Sequence, residues 1–237
     1  MFGGSTTGVH FISQTEQQLQ MLHTHKDALP SSTYSLYLHS LWGSSQIITS
    51  PPGVSDILQH LPHETLDIVD SAIDRWTPLY PIVHKPSLKA AAARLLQSGI
   101  VANSSDVTLL HQVLMLLALG SVSQAGSCIL PHHHFLCLSE NYYRISATLQ
   151  DYVIDQSCLQ SLQSLVLTQI YLQLSNRYSR ASHLSGVATR LAQTLGLHRH
   201  SLRFKFDPLE TELRRRAWWC QYSLDAYALP LVTPSIL

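Results

Sequence analysis

Charge is scarce in this 237-residue chain. Lys, Arg, Asp and Glu make up 13% of it, and 15 basic residues cancel 15 acidic ones, for a formal net charge of zero at pH 7. A stand-alone nucleic-acid binder normally carries a clear positive excess to meet phosphate charge, so that class is disfavoured. Cysteine is scarce too. Cys128, Cys137, Cys158 and Cys220 are the only four, and they lie far apart. They cannot make a disulfide-dense scaffold, and reduced, buried thiols in a cytosolic or nuclear protein are the economical reading. No long hydrophobic run occurs. The most apolar stretch, Val113-Leu114-Met115-Leu116-Leu117-Ala118-Leu119, falls well short of the ~20 residues that span a bilayer and reads as a buried core helix. The start, Met1 to Gly8, has neither the basic region nor the apolar run of a signal peptide. Also missing are the Gly-x-Ser-x-Gly elbow, the Walker loop, His-Glu-x-x-His, the dinucleotide Gly-x-Gly-x-x-Gly and the paired-Asp magnesium motif of terpene synthases.

What is present is apolar and periodic. Hydrophobic residues make up 45% of the chain, which excludes disorder throughout. Residues 1–53 are rich in Ser, Thr, Gln, His and Gly and end at Pro51-Pro52-Gly53; they read as a mostly flexible leader. From Val54 the signals are helical. Ser55 caps a first turn bearing Ile57, Leu58 and Leu61, and a second pattern runs Leu66, Val69, Ile73, Trp76. Pro78, Pro81 and Pro86 make residues 77–86 an extended connector. A helix of Ala90 to Leu96 stops near Gly99, and Ser104 or Ser105 caps the apolar 107–119 helix. Apolar residues recur at helical spacing from Leu136 to Leu149, then at Leu159, Leu162, Val166 and Ile170, then at Leu184, Val187, Ala188, Leu191, Ala192 and Leu195. Gly196 suits a left-handed C-cap, with Leu197 supplying its hydrophobic contact. Asp207-Pro208-Leu209-Glu210 reads as N-cap, Pro at N1 and acidic N3, and Glu210–Arg214 and Glu212–Arg216 are favourable i, i+4 pairs. No segment alternates with period two. The expected fold is all-α, a multi-helix bundle of packed antiparallel hairpins over residues 54–237.

The late segment Gly186-Val187-Ala188-Thr189-Arg190-Leu191-Ala192-Gln193-Thr194-Leu195-Gly196-Leu197-His198-Arg199 is followed by Asp207-Pro208-Leu209-Glu210-Thr211-Glu212-Leu213-Arg214-Arg215-Arg216-Ala217-Trp218-Trp219 and then Leu224-Asp225. This run resembles the core signature of the fungal-specific transcription factor domain, the middle homology region of fungal zinc-cluster regulators. Upstream, Leu79-Tyr80-Pro81-Ile82-Val83-His84-Lys85-Pro86-Ser87-Leu88 is similar to that family's Pro-Ile-x-His-x-Pro-Ser-Phe element, with Leu88 in place of Phe. The resemblance covers roughly residues 60–228. Two departures accompany it. The family's DNA-binding module is a six-cysteine binuclear zinc cluster, whereas no cysteine here precedes Cys128 and the Cys-x-x-Cys pairs are missing. The family also continues past the Leu-Asp pair into a Gly-Arg-Pro element, where this sequence reads Ala226-Tyr227-Ala228. The expectation is a helical domain truncated at both ends.

Each candidate site has a plain alternative. Arg214-Arg215-Arg216 with Trp218-Trp219 suggests a nucleic-acid surface, but the favoured reading pairs the arginines with glutamates one turn earlier and sends the tryptophans into the core. His132-His133-His134 with Cys137 suggests a metal site, yet adjacent helical histidines point apart, and no metal is expected. His84 and His198, at family positions, are expected to bond to backbone and lock turns. Asp225, if buried, calls for an arginine from the triplet or Arg190. No catalytic, cofactor-binding, metal or nucleic-acid-binding residue is therefore assigned, and no enzyme activity is expected. The resemblance implies a nuclear transcription-regulator-like protein, with the cytoplasm as the alternative location. It would work through a full-length regulator or the transcription machinery, with a small-molecule effector and a link to a metabolic or secondary-metabolite cluster. Other readings are a non-regulatory helical scaffold, an enzyme reusing the fold, and a fragment of a full-length regulator.

Overall fold

A computed structural model describes residues 53–99, 101, 103–125, 132–199 and 206–232. The expected leader lies outside the described residues except for Gly53. Every regular element among the described residues is an α-helix: α1 Val54–Gln59, α2 Thr65–Trp76, α3 Lys85–Ser98, α4 Ser104–Ala125, α5 His132–Asp155, α6 Leu159–Leu174, α7 Tyr178–Thr194 and α8 Pro208–Val232.

Two of these helices have no polar face. Every residue of α4 from Val107 to Ser121, and of α6 from Ser161 to Leu172, is buried. A helix buried all round must be wrapped by partners. Accordingly α4 packs on α2, α3, α5 and α6, while α6 also packs on α5, α7 and α8. Each fully buried leucine adds about 1.5–3 kcal/mol of apolar transfer free energy. Leu110, Leu114, Leu117, Leu162 and Leu165 are all at this limit. By length and composition α4 could cross a membrane, but 83% of its most apolar stretch is buried inside the protein, as a core helix requires. Gly120 sets the approach of α2. A Cβ there would lie 2.8 Å from Ile68 Cγ2 and 3.3 Å from the Ile68 carbonyl oxygen.

Local chemistry moves several helix starts. α3 begins at Lys85 rather than Ala90, because Pro86 sits in the first turn, where its missing N–H costs nothing. α4 is capped by Asn103 instead of Ser104 or Ser105. The Asn103 carbonyl accepts from the Asp106 and Val107 N–H groups, and Asp106 Oδ2 accepts the Asn103 N–H at 3.1 Å. The acid three residues on thus supplies the return bond of a capping box. α1 is preceded by Gly53 in the left-handed region; the side chain of Ser55, the expected cap, lies outside the described residues.

Two helix hairpins close through the same device. At the end of α7, Gly196 has φ 70°. Its N–H donates to the Gln193 carbonyl at 2.9 Å, and that of Leu197 to the Ala192 carbonyl at 3.0 Å. This is the expected left-handed cap in Schellman form. At the end of α6 the same role falls to Asn176, φ 57°, with Arg177 N–H donating to the Leu172 carbonyl at 2.8 Å. Asn tolerates this backbone better than other residues with a Cβ, so α7 can start at once.

Buried amides and hydroxyls key the helices to one another. Gln163 Nε2 donates to the Ile82 carbonyl at 2.6 Å, and Gln112 Nε2 to the Gln160 carbonyl at 3.1 Å. Gln169 Nε2 donates to Gln221 Oε1 at 2.8 Å, while Gln221 Nε2 reaches the Ser185 carbonyl at 3.2 Å and Thr189 Oγ1 at 3.1 Å. These bonds fix α6 against the connector, α4 and α8, because a one-residue slip would leave amides buried without partners. His111 has no such match. Its side chain is fully buried and neither ring nitrogen has a hydrogen-bond partner. Burial lowers its pKa from 6.5 to about 4, so it is neutral at pH 7.

Candidate functional site

The two segments that carry the family resemblance, far apart in sequence, line the same opening. Val83, His84, Ser87 and Leu88, from the connector and the start of α3, line a cleft of about 570 Å³ together with Glu210 and Leu213 of α8. Ser105, Thr108 and Gln112 of α4, with Cys158 and Gln163 at the start of α6, complete it. A cleft of this size suits a small organic ligand. Its lining is mostly uncharged, with amides, hydroxyls, a thiol and apolar side chains beside one imidazole and one carboxylate. Glu210 is already engaged by Arg214 Nη1 at 3.3 Å.

Two of the polar groups here, His84 and Cys158, are positioned by helix starts. His84 is the N-cap residue of α3, and its Nδ1 hydrogen-bonds the Ser87 hydroxyl at 2.7 Å. The expected histidine-to-backbone bond is thus replaced by a side-chain bond across the first turn. Cys158 is the N-cap residue of α6, its Sγ accepting the Ser161 N–H at 3.4 Å. Asp207 caps α8 as expected, Oδ2 accepting the Leu209 N–H at 3.2 Å.

The arginine triplet divides into two roles. Arg214 is mostly buried, with 15% of its side chain exposed. Its Nη2 donates to the Leu195 carbonyl at 2.8 Å, and its guanidinium lies 4.2 Å from the Phe206 ring centre. It therefore places a cation on the carbonyl end of α7, where the helix dipole favours one. Arg215 and Arg216 instead converge on Glu212, each at 2.7 Å. Arg216 first, then Arg215, holds the Glu212 carboxyl below the ordinary range. The i, i+4 pairing expected for the triplet is present in both cases.

Residues 73–229 match the fungal specific transcription factor domain, more than half of the chain. The chain belongs to this family. Among its relatives are the transcriptional activator protein acu-15 of Neurospora crassa, 28% identical over 69% of this chain and 17% of the relative. Others are the pyriculol/pyriculariol biosynthesis cluster transcription factor 1 of Pyricularia oryzae, 32% identical over 74% of this chain and 24% of the relative, and the transcriptional regulator AacuB of Aspergillus aculeatus, 26% identical over 89% of this chain and 29% of the relative. The match thus takes in less than a third of these relatives' own length. No solved structure matches the chain.

Within this fungal transcription factor domain, several sequence expectations need correction. Of the adjacent pair only Trp218 packs against the core; Trp219 is 57% exposed. The reason is the register of α8, which buries Ala217, Cys220, Gln221 and Leu224 and so turns position 219 outward. Asp225 takes a hydroxyl rather than a guanidinium, accepting from Ser185 Oγ at 2.7 Å. The arginine triplet lies at least ~14 Å back along the same helix axis, and Arg190 donates to Gln193 at 3.2 Å. His198 bonds Arg199 at 3.1 Å and its ring sits 6.0 Å from that of Trp218; its expected backbone bond is replaced. Of the cysteines, only Cys220 is buried among the described residues. Cys137 is exposed and Cys158 half-buried, while Cys128 lies outside the described residues. Burial pushes the Cys220 thiol up to about 11. Of the histidine run, His134 is exposed and the side chains of His132 and His133 lie outside the described residues. Among the described residues no cluster of three potential metal ligands occurs.

Sequence reasoning missed a clamp around Glu140. This half-buried carboxylate on α5 accepts from Arg177 Nη2 at 2.8 Å, Arg144 Nε at 3.1 Å and the Tyr171 hydroxyl at 3.2 Å. Tyr171 stacks on Tyr143 at 4.9 Å, and Arg177 lies 5.1 Å from the Tyr143 ring centre. Burial works to raise the Glu140 carboxyl, but the hydrogen bonds from Arg177 and Arg144 outweigh it and hold it low.

Proposed function

We propose that the domain is the regulatory region of a fungal transcription regulator, working in the nucleus through protein partners and tuned by a small neutral ligand in the cleft of α3, α4, α6 and α8. The observation that carries this reading is the meeting of the two family segments at one cleft, lined by His84 and Ser87 together with Glu210 and Leu213. Its largely apolar, hydrogen-bonding lining, with the Glu210 carboxylate opposing a second anion, favours a polar, uncharged metabolite over a phosphorylated one. Zero net charge and the lack of a cysteine before Cys128 favour protein contacts over direct, sequence-specific DNA contact by these residues. Regulation of a secondary-metabolite cluster is the reading suggested by the Pyricularia relative's name. No catalytic role is proposed. The test is transcription from a reporter promoter to which this chain is tethered by a heterologous DNA-binding module: a changed output supports the reading, and an output equal to that of the module alone contradicts it.

A further inference from the structure

A second groove opens between the connector and the outer face of α8. We propose that it docks an acidic peptide segment bearing a bulky apolar side chain, on a partner protein. The groove holds about 360 Å³, with Leu79 and Pro81 on one side and Arg215, Arg216 and Trp219 on the other, over Cys220. Two of its residues are among the most exposed large apolar side chains described: Leu79 at 69% and Trp219 at 57%. Tyr222, also 57% exposed, stands edge-on to Trp219 with ring centres 5.8 Å apart. Apolar side chains gathered at a groove, rather than scattered singly, mark an interaction surface.

Charge identifies the occupant. Arg215 and Arg216 share the single carboxylate of Glu212, which leaves one positive charge over, and among the described residues no acidic side chain lines the groove. Exposed guanidinium groups offer several N–H donors each and suit carboxylates. Trp and Arg side by side are the residue types that carry most binding energy at protein interfaces. A nucleic acid fits less well. It would bring a run of phosphates to a chain of zero net charge, whereas the two cations that line this groove among the described residues share one carboxylate and leave one positive charge, enough for a short acidic segment but not for a phosphate run. The wall of Leu79 and Pro81 calls instead for an apolar side chain between the acids. This docking does not depend on the occupancy of the cleft described above.

The test is fluorescence anisotropy of the full 237-residue chain with a labelled peptide of about a dozen residues alternating Asp with Leu and Phe. Trp219→Ala and, separately, Leu79→Ser each weaken binding about tenfold or more, and replacing every Asp in the peptide by Asn does the same. Raising salt weakens binding as well. Both positions are solvent-exposed, so the variants keep the wild-type far-UV circular dichroism, and either one suffices if the other misfolds. Absence of peptide binding, equal binding by both folded variants, or tighter binding of a duplex DNA oligonucleotide overturns the proposal.

Discussion

At His111 the core of α4 holds an imidazole without a hydrogen-bond partner, and the pH dependence of stability follows from it. The folded-state pKa of about 4 lies below the unfolded value of 6.5, so the unfolded chain takes up this proton first as pH falls. The contribution is fully present above pH 6.5 and is lost as pH drops through that value toward 4, amounting to on the order of 3 kcal/mol. Chemical denaturation of wild type and His111→Leu at pH 7 and pH 5 checks it: the variant loses less stability between the two. Gly120 makes the opposite case, a residue valued for what it lacks. Gly120→Ala improves helix propensity by about 1 kcal/mol but drives a methyl group into the stiff, β-branched Ile68 at 2.8 Å. Overpacking wins, and the variant is less stable by about 1–2 kcal/mol, seen as a melting temperature a few degrees lower.

Among the helices, the Glu140–Arg177 bond ties α5 to the turn between α6 and α7. Glu140→Gln and Arg177→Met, singly and together in urea denaturation, give a coupling free energy of about 1 kcal/mol, as expected for a half-buried pair with added tyrosine contacts. That pair also shows where the sequence stops being legible. Helices and caps set by nearest neighbours can be read directly: Gly196 with Leu197, Asp207 with Pro208, and both Glu–Arg pairs on α8 stand as their spacing dictates. Contacts between residues 37 positions apart leave no local trace. For the interhelix amide bonds the available signal was composition: Gln163 and Gln169 fall in a stretch of α6 whose other buried polar side chains are the short Ser161, Ser164 and Thr168, and an amide inside a buried run must find a partner beyond its own helix. The facing of α8 was misjudged for a related reason. Trp219 is as apolar as Trp218, and only the packing of Ala217, Cys220 and Leu224 against α7 and α6 decides which indole turns inward. Asp225 likewise meets Ser185, a residue that no periodicity singles out.

Across the whole molecule, α6 is the organiser: its buried amides seat the connector and α8, and those two line both the mostly uncharged cleft and the aromatic, cationic groove. The early and late family segments therefore read as one surface brought together by the core, with Arg214 fixing the α7–α8 corner and Arg215, Arg216 and Trp219 left facing outward. On the function proposed above, this surface serves regulation through bound partners. The most direct measurement is reporter transcription with the chain tethered by a heterologous DNA-binding module, compared with Ala91→Phe at a cleft-lining residue of α3, a change that fills the cleft. Output from the wild-type tether should differ from that of the module alone, and the folded Ala91→Phe chain should shift it. If the wild-type tether leaves transcription where the module alone sets it, the regulatory account is wrong.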